Sequence, residues 1–375
     1  MNKKEISEIK KQLTVQKNSL TRIAGCYVSA EKEKIITFAQ GFNLLPEEET
    51  FKYFELFRKS LSGTIGKNLL NMEFPMEAEE DEDGTQRFLM ELRKTALKDD
   101  DLLDKFYDSV IESFVTGENY LILLIHNAYD VPGKAKDSLE MFDASEEVYD
   151  YIQCIICPVD LAKPALSYDR ETQTFRNRDR DWVVSMPVLG FLFPAFNERS
   201  SDIHQVLYYS KDSEDLHFDF TDRLLGCNLP LSAGLQKEAF GIVVEKTMGG
   251  NLSFDSARSI HDSLLELCEA AKDSPDPVTL DRVTVRNMLE EAGADEEQMA
   301  SFNKTFEENA GESGVFMAAN VAKKSKFEVH TPDVTITVSP DRSDLVETRV
   351  IDGRSCLVIP ITDEVEVNGM KLTKL

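Results

Sequence analysis

The residues of this chain that could do chemistry are few and scattered: six cysteines, five histidines, a glycine-rich turn and a dense acidic run. Cys154-Ile155-Ile156-Cys157 has the spacing of a redox pair or of half a zinc site. A structural zinc needs a second pair of thiolates or histidines at ligand spacing. A redox pair needs its first cysteine at a helix start, where the thiolate is stabilised. Neither condition is met, because the pair lies within the apolar run Tyr151 to Val159. In a strand, residues three apart face opposite sides. Two buried structural thiols are therefore expected.

Gly63-Thr64-Ile65-Gly66-Lys67-Asn68 has the outline of a phosphate loop. A Walker loop spaces its glycines more widely and follows Lys with a Ser or Thr that holds magnesium, between a strand and a helix. Here Asn68 stands where the hydroxyl is needed and a helical pattern precedes the glycines, so a helix-to-helix turn is expected. Glu79, Asp81, Asp83 and Gly84 imitate the start of a calcium loop, but Met90 occupies the position that must supply a bidentate Glu. His126, His204, His217, His261 and His330 are far apart, and no G-x-S-x-G elbow is present. No catalytic motif emerges, and no metal or other cofactor is expected.

The densest polar group between apolar runs is Asn197 to His204. If its flanks pair as strands, these side chains gather at one end of a sheet, where loop residues bind ligands. Asn197, Arg199, Asp202 and His204 form the candidate polar pocket on that ground. An ordinary hairpin turn accounts for the same composition.

Charge narrows the partners. With 42 basic against 68 acidic residues the formal net charge is −26, which repels nucleic-acid phosphates and anionic lipid surfaces alike. The helical pair at 284–310 carries only Arg286 and Lys304 as cations, a poor composition for a DNA-reading helix. No apolar run approaches the ~18 residues of a membrane-spanning helix, and Glu5, Glu8, Lys10 and Lys11 interrupt any signal-peptide core. The scattered cysteines point to reduced thiols and a cytoplasmic location.

Around these residues the pattern predicts an α+β chain. Ile6, Ile9 and Leu13 open it at helical spacing. Arg22 to Val28 and Ile35 to Phe42 predict a hairpin, and Pro46 with Glu47 to Glu49 starts a helix. An acidic linker at 77–83 and two helices, about Thr85 to Leu97 and Asp100 to Phe114, follow. Tyr120 to His126, Val148 to Val159, Trp182 to Phe196 and Ile203 to Tyr209 predict strands, with turns at Val131-Pro132-Gly133 and Asp169 to Asp181. Pro187 and Pro194 mark an edge strand or bends in the third run. Helices return over 214–310, and Phe327 onward is β again, with Asp352-Gly353 and Asn368-Gly369 as hairpin turns. The expected organisation is a helical lobe with an N-terminal hairpin (1–118), a central mainly antiparallel or mixed sheet (119–212), a helical region (213–311) and a C-terminal β-meander (312–375).

The segments Phe51 to Leu70, Leu121 to Lys134, Gly190 to Ile203 and Asp344 to Ile361 resemble a bacterial family, largely from Firmicutes, that is catalogued as a domain of unknown function. The resemblance runs from the first helix to the C-terminal hairpins. It implies a cytosolic bacterial origin and supplies no activity, cofactor or site residue.

The expectation that fits these observations is a non-catalytic cytosolic regulatory or protein-interaction protein. The first alternative is a hydrolase or phosphate-ester enzyme with a site dispersed over the central sheet. A nucleic-acid or ribosome-associated factor is disfavoured by charge. Oligomeric state is not fixed by the sequence.

Overall fold

A computed structural model describes the chain except for Asn18, Glu82 and residues 135–139, 250–251, 312–313, 323–325, 362–365, 368–369 and 372–375. It divides into two compact units, residues 1–235 with 275–277, and residues 236–274 with 278–375.

The first unit is built on one antiparallel sheet. Its strands are β1 (Leu20–Val28), β2 (Lys34–Gly41), β3 (Leu69–Glu73), β4 (Tyr120–Lys134) and β5 (Glu140–Leu161), followed after a ribbon by β9 (Leu189–Phe193) and β12 (Gln205–Ser210). The ribbon strands are β6 (Leu166–Asp169), β7 (Thr174–Asn177) and β8 (Trp182–Val184), and between β9 and β12 lie β10 (Ala195–Asn197) and β11 (Ser200–Asp202). The spatial order is β2-β1-β4-β5-β9-β12-β3, with β8 pairing the end of β5. The expected α+β class and antiparallel sheet are thus present.

Helices cover both faces. On one face α1 (Lys3–Gln12) and α2 (Glu47–Ser60) bury Ile6, Ile9, Phe54 and Phe57 against Leu123, Ile125, Ile155 and Leu207. On the other, α3 (Thr85–Lys94) and α4 (Asp100–Ser113) bury Leu89, Leu92, Phe106 and Val110 against Ile122, Leu124, Ile152 and Phe191. A strand buried on both faces has no polar side to show, which is why residues 120–125 of β4, 154–157 of β5 and all of β9 are continuous apolar runs. Local chemistry starts the helices. Asn2 caps α1 in a reciprocal bond with Glu5, and Asp99 accepts the N–H groups of Asp101 and Leu102 to begin α4. In α2, Glu47 to Glu49 lie in the first turn and Arg58 and Lys59 in the last, opposing the helix dipole at both ends.

Several expectations need correction. The segment 63–68 leads from a helix into β3, not into a second helix. β9 lies between β5 and β12 at the centre of the sheet, so Pro187 and Pro194 mark bends and not an edge. Val131-Pro132-Gly133 lies within β4, where the register with β5 shifts. The polar stretch at 169–181 contains β7.

The second unit has its own core. Helices Phe254–Ala270, Arg282–Glu291 and Phe302–Asn309 pack Leu264, Leu289 and Phe302 around Val243 and Phe316. Beyond it come separate two-stranded pairs, Phe327–His330 with Thr335–Val338 and Glu347–Ile351 with Arg354–Val358. The described strands do not join into one meander sheet. Asp352 and Gly353 both take positive φ, 50° and 74°, in the expected tight turn. Asn368-Gly369 lies outside the described residues. No described helix is long and apolar enough to cross a membrane.

Candidate functional site

β10 and β11 form a hairpin that carries Asn197, Arg199 and Asp202 of the four polar residues expected to line a pocket, and His204 follows it. Its turn residues Glu198 and Arg199 have φ of 50° and 64°, a conformation that Asn-Gly adopts readily and longer side chains do not. Outside contacts hold it. The Glu198 N–H donates to Glu5 Oε1 at 2.8 Å. Arg199 Nη2 donates to the Pro132 carbonyl at 2.8 Å and lies 3.3 Å from Glu8 Oε1. Asn197 Nδ2 donates to Asp202 Oδ2 at 2.7 Å and to Gln205 Oε1 at 3.0 Å, while Asp202 Oδ1 accepts the His204 N–H at 3.0 Å. Asn197 and Asp202 are therefore together, Arg199 is turned to α1, and the exposed His204 ring lies 3.7 Å from Glu79. These bonds clamp a strained turn to the first helix.

The paired cysteines lie back to back. Cys154 belongs to the core under α3 and α4, and Cys157 to the core under α1 and α2. Burial pushes the Cys157 thiol up to about 12 and Cys154 well above the ordinary range, with each other's charge as a lesser cause for Cys154. A thiol held protonated is neither a nucleophile nor a metal ligand. All six cysteines are free. In the glycine-rich turn the Gly66 N–H donates to the Leu69 carbonyl and the Lys67 N–H to Thr64, so these donors are spent internally and not on a phosphate. Among the described residues no three His, Cys, Asp or Glu side chains gather as a metal site.

The tertiary structure assembles three groups that no motif announced. The first is Thr21, His126, Asp150 and Arg93. Thr21 is the extra residue of a bulge in β1, where Leu20 pairs Asn127 but Arg22 pairs His126; bulges re-aim side chains in this way. Its Oγ1 lies 2.6 Å from His126 Nδ1 and 3.2 Å from the His126 carbonyl. His126 Nε2 comes within 2.6 Å of Asp150 Oδ1, and Arg93 lies 4.0 Å from the same carboxylate. Hydroxyl, imidazole and carboxylate follow the order of an activated nucleophile. Yet Nε2 and Oδ1 meet without the alignment of a hydrogen bond, and neither has another hydrogen-bond partner among the described residues. The group ties the start of β1 to β5 and α3.

The second is a groove of about 550 Å³ where the C-terminal ends of α1 and α2 meet. Lys10, Arg58, Lys59 and Ser62 line it together with Phe51 and Met186.

The third is the ribbon β6–β7 with β8. It is ordered by its own bonds: β6 and β7 pair over four positions, Arg180 Nε donates to the Ala162 carbonyl at 2.6 Å, and β8 pairs Leu161 to Val159 of β5. It nevertheless leaves Leu166, Tyr168, Phe175 and Trp182 exposed, at 75%, 55%, 72% and 57%. Trp182 is the chain's single tryptophan. A tryptophan flanked by turn-like polar residues was the one sequence signal for this surface.

No curated protein matches the chain. The family described as Domain of unknown function (DUF4317) matches residues 1–370, and the chain, with its both-faces-buried antiparallel sheet and exposed aromatic ribbon, belongs to that family.

Proposed function

We propose that this chain is a non-catalytic protein-interaction protein of the bacterial cytoplasm, docking a protein partner through the ribbon 162–184. The observation that carries this reading is the exposure of Leu166, Tyr168, Phe175 and Trp182 on an ordered β-ribbon. Contiguous exposed apolar surface marks interaction sites, and Trp, Tyr and Arg are the residue types that dominate binding energy. The ribbon also departs from the chain's charge. Lys163, Arg170, Arg176, Arg178 and Arg180 face four acids, Asp169, Glu171, Asp179 and Asp181, in a chain of net −26. Arg176 is paired with Asp169 at 3.3 Å, whereas Arg170 and Arg178 have no described carboxylate partner. The partner that complements this surface is a protein presenting an apolar patch bordered by carboxylates. Six free thiols, five of them buried, suit a reducing compartment.

A photo-crosslinking residue at Phe175 in the full chain, expressed in its native cells, tests the reading. A stoichiometric hetero-complex is expected, weakened by salt and lost in a Tyr168→Ser, Phe175→Ser, Trp182→Ser variant that keeps its melting temperature. A crosslink only to a second copy of the chain, or a complex that survives the triple substitution, overturns it.

A further inference from the structure

In a chain of net charge −26, the groove between the ends of α1 and α2 is cationic. Of its lining residues Lys10, Arg58 and Lys59 are basic and Glu55 alone is acidic. None of the three cations has a described carboxylate within ion-pair distance. Lys10 is half-buried, and its Nζ is held by Ser62 Oγ at the end of α2. Burial first, then the neighbouring charges of Arg58 and Lys59, hold its pKa below the ordinary lysine value. Cations in the last turn of a helix oppose its dipole, which accounts for each of these residues singly. Dipole compensation does not require two helix ends to bring their cations to one concavity, nor that one of them be partly desolvated.

The rest of the groove is apolar. Leu13 and Phe54 are buried beneath it, and Phe51, Val15 and Met186 stand exposed around it at 64%, 42% and 41%. A volume of about 550 Å³ lies within the range of small-molecule sites, which combine an apolar lining with a few placed polar groups. Thr14 and Ser62 add hydroxyls beside the cations.

We infer that this groove binds a small amphipathic anion, its carboxylate or phosphate head between Lys10, Arg58 and Lys59 and its apolar body over Phe54, Phe51 and Met186. Charge-assisted bonds from a lysine and a guanidinium hold the head, and burial of the apolar body supplies the non-directional part of the affinity.

Isothermal titration of the full chain with decanoate, decyl phosphate, decanol and inorganic phosphate tests it. Saturable binding of decanoate or decyl phosphate is expected, and the preferred one identifies the head group. Decanol lacks the charge and inorganic phosphate lacks the apolar body, so each should bind at least about tenfold more weakly, the loss of one class of contact. Arg58→Ala and Phe51→Ser, both at exposed positions, should each weaken the preferred anion by about tenfold, whereas Lys52→Ala on the same helix should not. Binding of decanol as tight as that of the anions, affinity unchanged by Arg58→Ala, or no heat with either anion at millimolar concentration overturns the inference.

Discussion

The centre of the sheet and the ribbon that grows from its fifth strand use the same kinds of residue to opposite ends. In β5, Tyr149 and Tyr151 stack at 4.7 Å and are completely buried, with the Tyr149 hydroxyl donating to the Pro194 carbonyl at 2.6 Å. In the ribbon, Tyr168 and Phe175 pack at 5.5 Å on a β-pair of similar geometry and remain more than half exposed. The difference is the covering layer. Helices lie over both faces of β5 near Tyr149, and its far end carries only β8 and the ribbon. Apolar residues under a helix hold the fold together, whereas the same residues left uncovered are available to something else.

Substitution separates the two regions most sharply. Phe191→Ala, at a fully covered position of β9, should cost about 3–5 kcal/mol, while Phe175→Ala should cost under ~0.5 kcal/mol. Urea denaturation measures both, and equal losses would end the contrast. The next effect concerns a buried polar link. Gln153 is completely buried and its Nε2 donates to the Phe57 carbonyl at 3.0 Å and to Ser60 Oγ at 2.9 Å. Gln153→Ala removes both bonds, leaving the Phe57 carbonyl with the Ser60 hydroxyl alone, and should cost about 1–3 kcal/mol.

The buried thiols give a pH test. Cys157 is raised from 9.0 to about 12 in the folded chain, so the native state keeps a proton that the unfolded chain releases. Its stabilising effect is whole below about pH 9 and declines as pH rises toward 12, by at most ~1.4 kcal/mol per pH unit for each such thiol. The wild type should therefore lose stability over that window faster than a Cys157→Ala variant does. At pH 8 iodoacetamide should label Cys154 and Cys157 only after denaturation, as mass spectrometry of the peptides would read. Prompt labelling in the native state would place one thiol with the exposed ribbon and not with the core. The Tyr168, Phe175, Trp182 triple serine variant should also leave stability nearly unchanged, its melting temperature moving by a degree or two at most while its complex is lost. A large drop would show that the ribbon is core after all.

Much of the fold was legible because it is local. The acids that open α2 and the Asp352-Gly353 turn are decided by residues a few positions apart. The opposite faces of Cys154 and Cys157 follow from the two-residue period of a strand alone. β3 escaped notice because Leu69 to Glu73 is short and follows a glycine-rich turn that looks like a helix boundary. Of the candidate polar residues, Asn197 and Asp202 meet within the hairpin. Where Arg199 points was set by Glu8 and the Pro132 carbonyl, both far away in sequence.

By itself, then, the sequence determined the α+β class, the net charge of −26 and the failure of the thiol, phosphate-loop and calcium-loop patterns, since each rests on composition or short spacing. Only the tertiary structure decided that Lys10 meets Arg58 and Lys59 across one groove, that the Thr21 bulge faces His126, and that Trp182 stands uncovered. Those outcomes depend on which helix lies over which stretch of the sheet. Covering both faces erases the polar alternation that would have announced it.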